Sequence, residues 1–243
     1  FRVKVIYGGP LSSNKGFNLP NTDISLPSLT EKDIVDLEFA VANYFDWIGL
    51  SFVRKGADVT DLRKRITDLK GTARIIAKIE KPQAIRYIKS IVKKSDAIMV
   101  ARGDLGVEMP LEQVPMLQKK IVERCLNFSK PVIIATQMME SMINNARPTR
   151  AEASDVANAV MDGADAVMLS AETSVGKYPL EAVQAVQKIV KSTEDGWDIY
   201  HKGKKPSKSS PTFLSDQICF SAVQISEQIH ASAIISMTQS GYT

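Results

Sequence analysis

Five short apolar runs recur along the middle of the chain, and each is followed by a segment of helical periodicity. The runs occupy residues 47–52, 75–79, 97–100, 132–135 and 166–169. Near-continuous runs of Ile, Val and Ala are typical of strands in a parallel sheet that is buried on both faces. Between the runs, apolar side chains return every three or four residues, as in an amphipathic helix. The pattern therefore predicts βαβα alternation around a parallel sheet.

The starts and the apolar faces of several helices can also be predicted. Thr149 stands three residues before Glu152, the spacing of a capping box, and Pro179 suits the first position of a helix. One apolar stripe consists of Ile34, Leu37, Val41 and Tyr44, and a second of Val114, Leu117, Ile121, Cys125 and Phe128. We expect Cys125 to act as a small buried hydrophobic residue on the second stripe.

The two ends of the chain differ from this middle region. Residues 2–11 alternate as in an antiparallel strand and close with a Gly-Gly-Pro turn, whereas residues 201–211 (HKGKKPSKSSP) have the composition of a flexible linker. Beyond the linker, the apolar spacing predicts a helix over residues 214–229 and a strand over residues 233–237. We therefore expect more than one domain.

The number of βα units limits the choice of fold. About five units fit between residues 45 and 195, whereas a closed parallel barrel needs eight. The pattern alone leaves two possibilities: an open doubly wound sheet, or a barrel of which only part is present.

Composition excludes several classes of protein. The chain has 243 residues, of which 44% are hydrophobic and 24% charged, as in ordinary globular proteins. Its net charge of +4 comes from four lysines within residues 201–211, so the remainder is balanced and carries no basic footprint for nucleic acid or membranes. No apolar run approaches the roughly 18 residues of a membrane span. We expect a soluble, cytoplasmic protein.

Cysteine and histidine give no sign of a zinc site or of a serine hydrolase. Cys125 and Cys219 belong to neither a CxxC pair nor a Cys/His ligand spacing. His201 falls in the linker and His230 at a helix end, without partners for Ser/His/Asp chemistry. The candidates for a catalytic or binding site are therefore carboxylates, lysines and hydroxyls.

Polar and charged residues lie at the C-terminal ends of the apolar runs, the edge that carries the active site in parallel α/β folds. They are Lys78 and Glu80, Arg102 and Asp104, Thr136, and Ser170 and Glu172. Because strand side chains alternate between faces, we expect Lys78 and Glu80 to point the same way, and Arg102 and Asp104 likewise.

These residue types suit phosphoryl or enolate chemistry. A Glu and an Asp from adjacent strands supply hard oxygen ligands for Mg²⁺ or Mn²⁺. A lysine beside such a metal can neutralise charge on a phosphoryl group or an enolate. The spacing is equally compatible with solvated ion pairs at strand ends, and it does not decide between the two.

Six motifs at these same ends resemble the pyruvate kinase family. They are KGFNLP (15–20), AKIEKP (77–82), IMVARGDLGVEMP (98–110), KPVIIATQMMESM (130–142), RPTRAEASDVANAVMDGADAVMLSAET (147–173) and GKYPLEAV (176–183). The motifs occur in the family's order, and the resemblance as a whole covers nearly the whole chain. One departure is Ala171, where the family commonly has glycine.

The resemblance implies an α/β fold: a partial (β/α)₈ TIM barrel with remnants of a β lid domain and of a C-terminal α/β domain. By this resemblance residues 1–19 are the end of the lid and residues 20–195 the later part of the barrel. Residues 196–211 are then a linker, and residues 212–243 the start of the C-terminal regulatory domain. The early barrel strands and most of the lid are absent from this segment.

The family transfers a phosphoryl group from phosphoenolpyruvate to ADP, giving ATP and an enolate that is protonated to pyruvate. The resemblance implies that Lys78 stabilises the transferring group and the enolate. It also implies that Glu80 and Asp104 bind the divalent metal, and that Gly103, Asp104 and Thr136 contact substrate. Thr136 further belongs to the machinery that protonates the enolate, and Ser170 and Glu172 match residues around it.

The resemblance also implies Mg²⁺ or Mn²⁺ as cofactor, and K⁺ bound at a site outside this chain. Several nucleotide contacts lie outside it too, so we expect the isolated chain to have no appreciable kinase activity. The family further implies a homo-oligomer, a tetramer. Two alternatives stay open: a metal-dependent lyase or aldolase of the phosphoenolpyruvate/pyruvate barrels, and a non-catalytic binding module.

Overall fold

The computed structural model describes residues 4–10, 13, 28–197 and 205–237. It divides into two units, residues 1–186 and 187–243, and each is described by itself. The KGFNLP motif at residues 15–20, His201 and residues 238–243 lie outside the described residues. The domain bounds expected from the resemblance stay predictions.

A five-stranded parallel sheet forms the centre of the first unit. Its strands are β1 (Trp47–Leu50), β2 (Arg74–Ile79), β3 (Ala97–Ala101), β4 (Val132–Ala135) and β5 (Ala166–Val167). All five predicted strands are present, although the first and last end two residues early. The Met168 amide still donates to the Ile134 carbonyl oxygen at 2.9 Å, which extends the β4–β5 ladder past the last residue of β5.

One helix precedes the first strand, and the others connect the strands or follow the last one. They are α1 (Glu31–Ala42), α2 (Gly56–Asp68), α3 (Pro82–Arg86), α4 (Ile88–Lys94), α5 (Arg102–Glu108), α6 (Val114–Asn127), α7 (Arg150–Asp162), α8 (Ala171–Ser174), α9 (Pro179–Gly196) and α10 (Phe213–Gln228). Short 3₁₀ turns cover Leu111–Gln113 and Glu140–Ile143. Pro179 is the first residue of α9, and α10 covers most of the helix predicted over residues 214–229.

The order of the strands decides between the two predicted folds. Each strand pairs with its neighbour in sequence, in the order β1-β2-β3-β4-β5, and every pair is parallel. A doubly wound sheet reverses direction at a switch point, whereas a (β/α)₈ barrel adds each strand beside the last. The sheet is therefore an arc of a barrel.

The core is built from the apolar runs, as predicted. Ile75, Ile98 and Ile134 are fully buried on three neighbouring strands of the sheet, and Cys125 is buried on α6. Burial, with a smaller contribution from the nearby Asp165 charge, raises the pKa of the Cys125 thiol to about 12. Cys125 is therefore a structural residue rather than a reactive one. Three methionines after β4 are buried core residues as well: Met138, Met139 and Met142.

Two aspartates make the same pair of hydrogen bonds at the N-terminal edge of the sheet. Asp96 accepts a 2.8 Å hydrogen bond from the Ile75 amide and returns one of 3.0 Å to its carbonyl oxygen. Asp165 does the same with Val132, at 2.8 and 2.9 Å. These clamps tie β2 to the start of β3 and β4 to the start of β5, leaving the opposite edge for chemistry.

Two predicted strands are not found. Residues 4–10, within the alternating segment 2–11, form no strand, and neither do residues 233–237. A strand is stable only when another strand pairs with its backbone, and no described segment pairs with either of these. Neither the alternation over residues 2–11 nor the apolar run over residues 233–237 is therefore sufficient to predict a strand.

Within the described ranges 4–10, 13, 28–197 and 205–237, every helix is too short or too polar to cross a lipid bilayer.

The predicted capping box at the start of α7 is confirmed. The Glu152 amide donates to the Thr149 hydroxyl at 3.2 Å, and the Glu152 carboxylate accepts from the Thr149 amide at 2.7 Å. The carboxylate also accepts from the Ser141 amide and hydroxyl, at 2.7 and 2.6 Å. Burial by itself would raise the pKa of Glu152, but these hydrogen bonds outweigh it and hold the pKa below its ordinary value.

We predict that Glu152→Gln lowers the free energy of unfolding by about 1 kcal/mol near pH 7, because the single oxygen of an amide replaces two carboxylate oxygens that accept hydrogen bonds from Ser141 and Thr149. Since the folded-state pKa is lowered, the ionised carboxylate stabilises the chain above pH 4.5, its ordinary pKa. This stabilisation is lost as the pH falls through the folded-state value. Urea unfolding at neutral and acidic pH measures the difference, which should close on acidification. A difference that widens would contradict the assignment.

Candidate active site

The C-terminal edge of the sheet brings the predicted residues to one place. Strand register puts Lys78 opposite Met99 and Ala101 opposite Ala135. Glu80 therefore leaves β2 one residue beyond its end, while α5 and the Thr136 loop begin directly after β3 and β4. The three tips lie at similar heights on the same edge.

Glu80 is the buried centre of this edge. Its side chain is 1% exposed, and its Oε2 accepts a 2.7 Å hydrogen bond from the Phe52 amide. Its Oε1 lies 2.6 Å from Lys78 Nζ in an ion pair but accepts no hydrogen bond of ordinary geometry. The expectation that Lys78 and Glu80 point the same way is confirmed. One oxygen of this buried carboxylate is thus left without a directed hydrogen-bond donor.

Lys78 lies between the buried Glu80 carboxylate and the Ser51 hydroxyl. Its side chain is 27% exposed, and its ammonium donates a 3.0 Å hydrogen bond to the Ser51 hydroxyl. An ammonium held on two sides but still accessible can meet an incoming anion without first reorganising.

Ser51 and Phe52, which form the turn after β1, were not predicted. Phe52 has a φ of 53°, in the left-handed region, which turns its amide toward Glu80. Ser51 follows an apolar strand just as Thr136 does, so the same rule could have found it. Phe52 acts through its backbone amide, which no side-chain pattern reveals.

The expectation that Arg102 and Asp104 point the same way is wrong. Both residues belong to α5, which begins at Arg102, so the alternation of strand side chains does not apply to them. Residues two apart on a helix do not share a face. Asp104 is exposed in the first turn of α5, while Arg102 is turned away into a network of hydrogen bonds.

Arg102 joins three elements behind the site. Its guanidinium donates two 2.7 Å hydrogen bonds to the Asp155 carboxylate on α7 and one of 2.8 Å to the Thr136 carbonyl oxygen. A planar guanidinium suits this bidentate arrangement. Arg102 therefore fixes the backbone of Thr136 and is not itself at the open edge.

Gly103 and Thr136 lie against each other. A Cβ built on Gly103 would stand 2.9 Å from the Thr136 hydroxyl oxygen, closer than side chains approach. The absence of a side chain at Gly103 therefore permits the Thr136 hydroxyl to lie beside the first turn of α5.

Glu172 holds the neighbouring tips rather than facing solvent. It is buried, and its carboxylate accepts from the Met139 amide at 3.1 Å and from the Ser170 amide at 2.8 Å. By making one bond to each segment, Glu172 links the loop after β4 to the residues that follow β5. Glu172 is thus a positioning residue, and Ser170 is exposed beside it.

The carboxylates fit a divalent cation bound mostly by substrate and water. In the described part of the chain, no group of three or more His, Cys, Asp or Glu side chains could hold a metal. Mg²⁺ commonly uses only one or two carboxylates and completes its shell with water and phosphate oxygens. Glu80 Oε1, buried and without a directed hydrogen bond, could serve as such a ligand oxygen, and Asp104 is an exposed carboxylate on the adjoining helix.

A sequentially ordered parallel sheet with an ammonium, carboxylates and a hydroxyl at its C-terminal edge defines a (β/α)₈ barrel of the kind that carries an active site there. The family model for the pyruvate kinase barrel domain matches residues 1–183. The chain belongs to the pyruvate kinase family.

Relatives from three bacteria agree with this assignment. A pyruvate kinase of Mycobacterium intracellulare is 50% identical over 239 residues, which cover 98% of this chain and 50% of the relative. One of Corynebacterium efficiens is 52% identical over 242 residues, covering 99% and 50%. Pyruvate kinase 2 of a Synechocystis species is 47% identical over 240 residues, covering 99% and 40%.

The chain thus spans about half the length, or less, of the curated relatives it matches. The identity extends over nearly all of this chain, and each of these relatives is named a pyruvate kinase. The match favours pyruvate kinase over the lyase or aldolase alternative.

We predict that Gly103→Ala lowers the free energy of unfolding by about 1–2 kcal/mol, because the new methyl group meets the Thr136 hydroxyl. In a Thr136→Ala background the same change should be nearly neutral, since its obstacle is gone. Gly106→Ala is the control on the same helix, where the nearest atom is the flexible end of Leu111.

Urea unfolding of the four Gly103/Thr136 combinations measures this coupling. Equal costs of Gly103→Ala in both backgrounds would show that the two residues do not touch.

Proposed function

We propose that this chain is the barrel segment of a pyruvate kinase that carries the site for phosphoryl transfer from phosphoenolpyruvate to ADP. The observation that supports this most is the cluster of Lys78, Glu80 and Ser51, in which an accessible ammonium lies 2.6 Å from a buried carboxylate oxygen. Phosphoryl transfer passes through a loose transition state that needs positioned charge more than covalent help. The cluster supplies that charge.

Lys78 binds the transferring phosphoryl group and the enolate oxygen left behind. Its ammonium is oriented by the Ser51 hydroxyl on one side and by Glu80 on the other. Because these partners hold the ammonium in place before substrate binds, the side chain does not have to be ordered when negative charge develops in the transition state.

Glu80 and Asp104 are the residues that would hold Mg²⁺ or Mn²⁺. The bound ion supplies positive charge that neutralises phosphoryl and enolate oxygens. Glu80 keeps its carboxylate fixed through the Phe52 amide, so one oxygen is oriented by the backbone while the other faces the site.

Gly103 and Thr136, together with Asp104, contact the substrate. Gly103 leaves room beside the Thr136 hydroxyl, and the Thr136 backbone is held by Arg102. We place the Thr136 hydroxyl in the proton path to the enolate carbon, with Ser170 and Glu172 holding the adjoining tip.

The remaining parts of the proposal concern the whole protein. Residues 1–19 are the end of a lid, 20–195 the later barrel, 196–211 a linker and 212–243 the start of a C-terminal domain. The whole enzyme binds ADP and K⁺ largely through residues outside this chain, forms a homotetramer and works in the cytoplasm. The isolated chain should therefore show no appreciable pyruvate formation in a coupled assay, and normal turnover would contradict this division.

We predict that Lys78→Met lowers the turnover of the complete enzyme by at least ~10²-fold, the scale of one preorganised electrostatic group. Lys119→Met is the matched control, because Lys119 pairs with Asp162 on the helices outside the sheet. Coupled measurement of pyruvate formation tests both variants. Near-normal turnover of Lys78→Met would refute the role of Lys78.

A further inference from the structure

A second charged pair lies beside the site and takes no part in the proposed chemistry. Lys81 Nζ donates to Glu108 Oε1 at 2.5 Å, and the two side chains are only 17% and 5% exposed. The Lys81 ammonium also lies 5.5 Å from the centre of the Phe52 ring, within the range of a cation–π interaction.

The place of this pair in the fold is more informative than its strength. Lys81 immediately follows Glu80, whereas Glu108 lies four residues after Asp104 on α5. Residues four apart on a helix share a face, so Glu108 lies one turn along from Asp104. The pair therefore joins the two segments that carry the proposed metal ligands.

Phe52 links the same pair to the buried carboxylate. Its amide donates to Glu80 Oε2, while its ring contacts the Lys81 ammonium. Lys81 thus touches the turn that orients one carboxylate and the helix that carries the other.

Stability alone does not account for such a pair. Two buried charges pay a desolvation cost that their attraction offsets only in good geometry, and apolar side chains of similar size often stabilise a fold as well. What a hydrogen-bonded pair adds is a fixed distance between two elements. Here those elements are the end of β2 and the helix α5.

We propose that Lys81 is a positioning residue that sets the distance between the Glu80 and Asp104 carboxylates and thereby the affinity for a divalent cation. The inference rests on the proposed function, because it takes those two residues as the metal ligands. Lys81 itself touches neither the ion nor the substrate.

Binding of Mn²⁺ to this chain, measured by the electron paramagnetic resonance signal of the free ion, tests the proposal without any turnover. Lys81→Met should weaken Mn²⁺ binding about tenfold, the lower end of the range for groups that hold metal ligands in place. Lys81→Arg keeps the charge and should retain most of the affinity. Lys119→Met removes a lysine from a surface pair and should change nothing.

A second variant guards against misfolding, since Lys81→Met leaves the Glu108 carboxylate buried without its counter-charge. Glu108→Gln nearly preserves the shape of the side chain and removes the charge from the other member of the pair, on α5. It should also weaken Mn²⁺ binding. Urea unfolding of every variant shows which of them are folded.

Two outcomes overturn the inference, and they are distinguishable. If Glu80→Gln abolishes Mn²⁺ binding but folded Lys81→Met and Glu108→Gln bind like Lys119→Met, only the positioning role fails. If Glu80→Gln and Asp104→Asn leave Mn²⁺ binding unchanged, the proposed metal site fails and the inference with it.

Discussion

The direction of the strands is the constraint on which the rest of this structure depends. All five strands are parallel and pair in chain order, so every C-terminal end falls on one edge. Residues separated by more than 50 positions, such as Lys78 and Thr136, therefore follow neighbouring parts of one sheet. The aspartate clamps made by Asp96 and Asp165 hold the opposite edge. The stabilising clamps thus lie at the N-terminal edge and the candidate site at the C-terminal edge, as is usual for parallel barrels.

Buried polar groups then fix the geometry of the C-terminal edge. Glu80 is held by a backbone amide, Thr136 by Arg102, and the loop after β4 by Glu172. A buried polar group left unpaired costs stability, so each of these bonds favours one arrangement of the tips over the alternatives. These bonds hold the tips without help from a ligand, as the proposed phosphoryl transfer would require, because a loose transition state is stabilised by charge that is already positioned.

The sequence predicted the strands and most helices because their signals are local: apolar runs, helical periodicity, and caps such as Thr149. It predicted the residue types at the strand ends for the same reason. It missed the orientation of Arg102, because whether a helix begins directly after β3 depends on packing. It missed the pairing of Lys81 with Glu108, 27 residues apart, which depends on where α5 lies. The two strands predicted near the chain ends are not found, because a strand is stable only when another strand pairs with it.

The central claim is that Glu80 and Asp104, on adjoining tips, form one divalent-cation site. Amide-resolved nuclear magnetic resonance of this chain, titrated with Mn²⁺, tests it most directly, since the paramagnetic ion broadens signals near its binding site. The account predicts that broadening begins at the amides of Phe52, Glu80, Gly103 and Asp104, and that Mg²⁺ reverses it. Broadening that begins elsewhere, or that spreads evenly over the acidic surface residues, would contradict it.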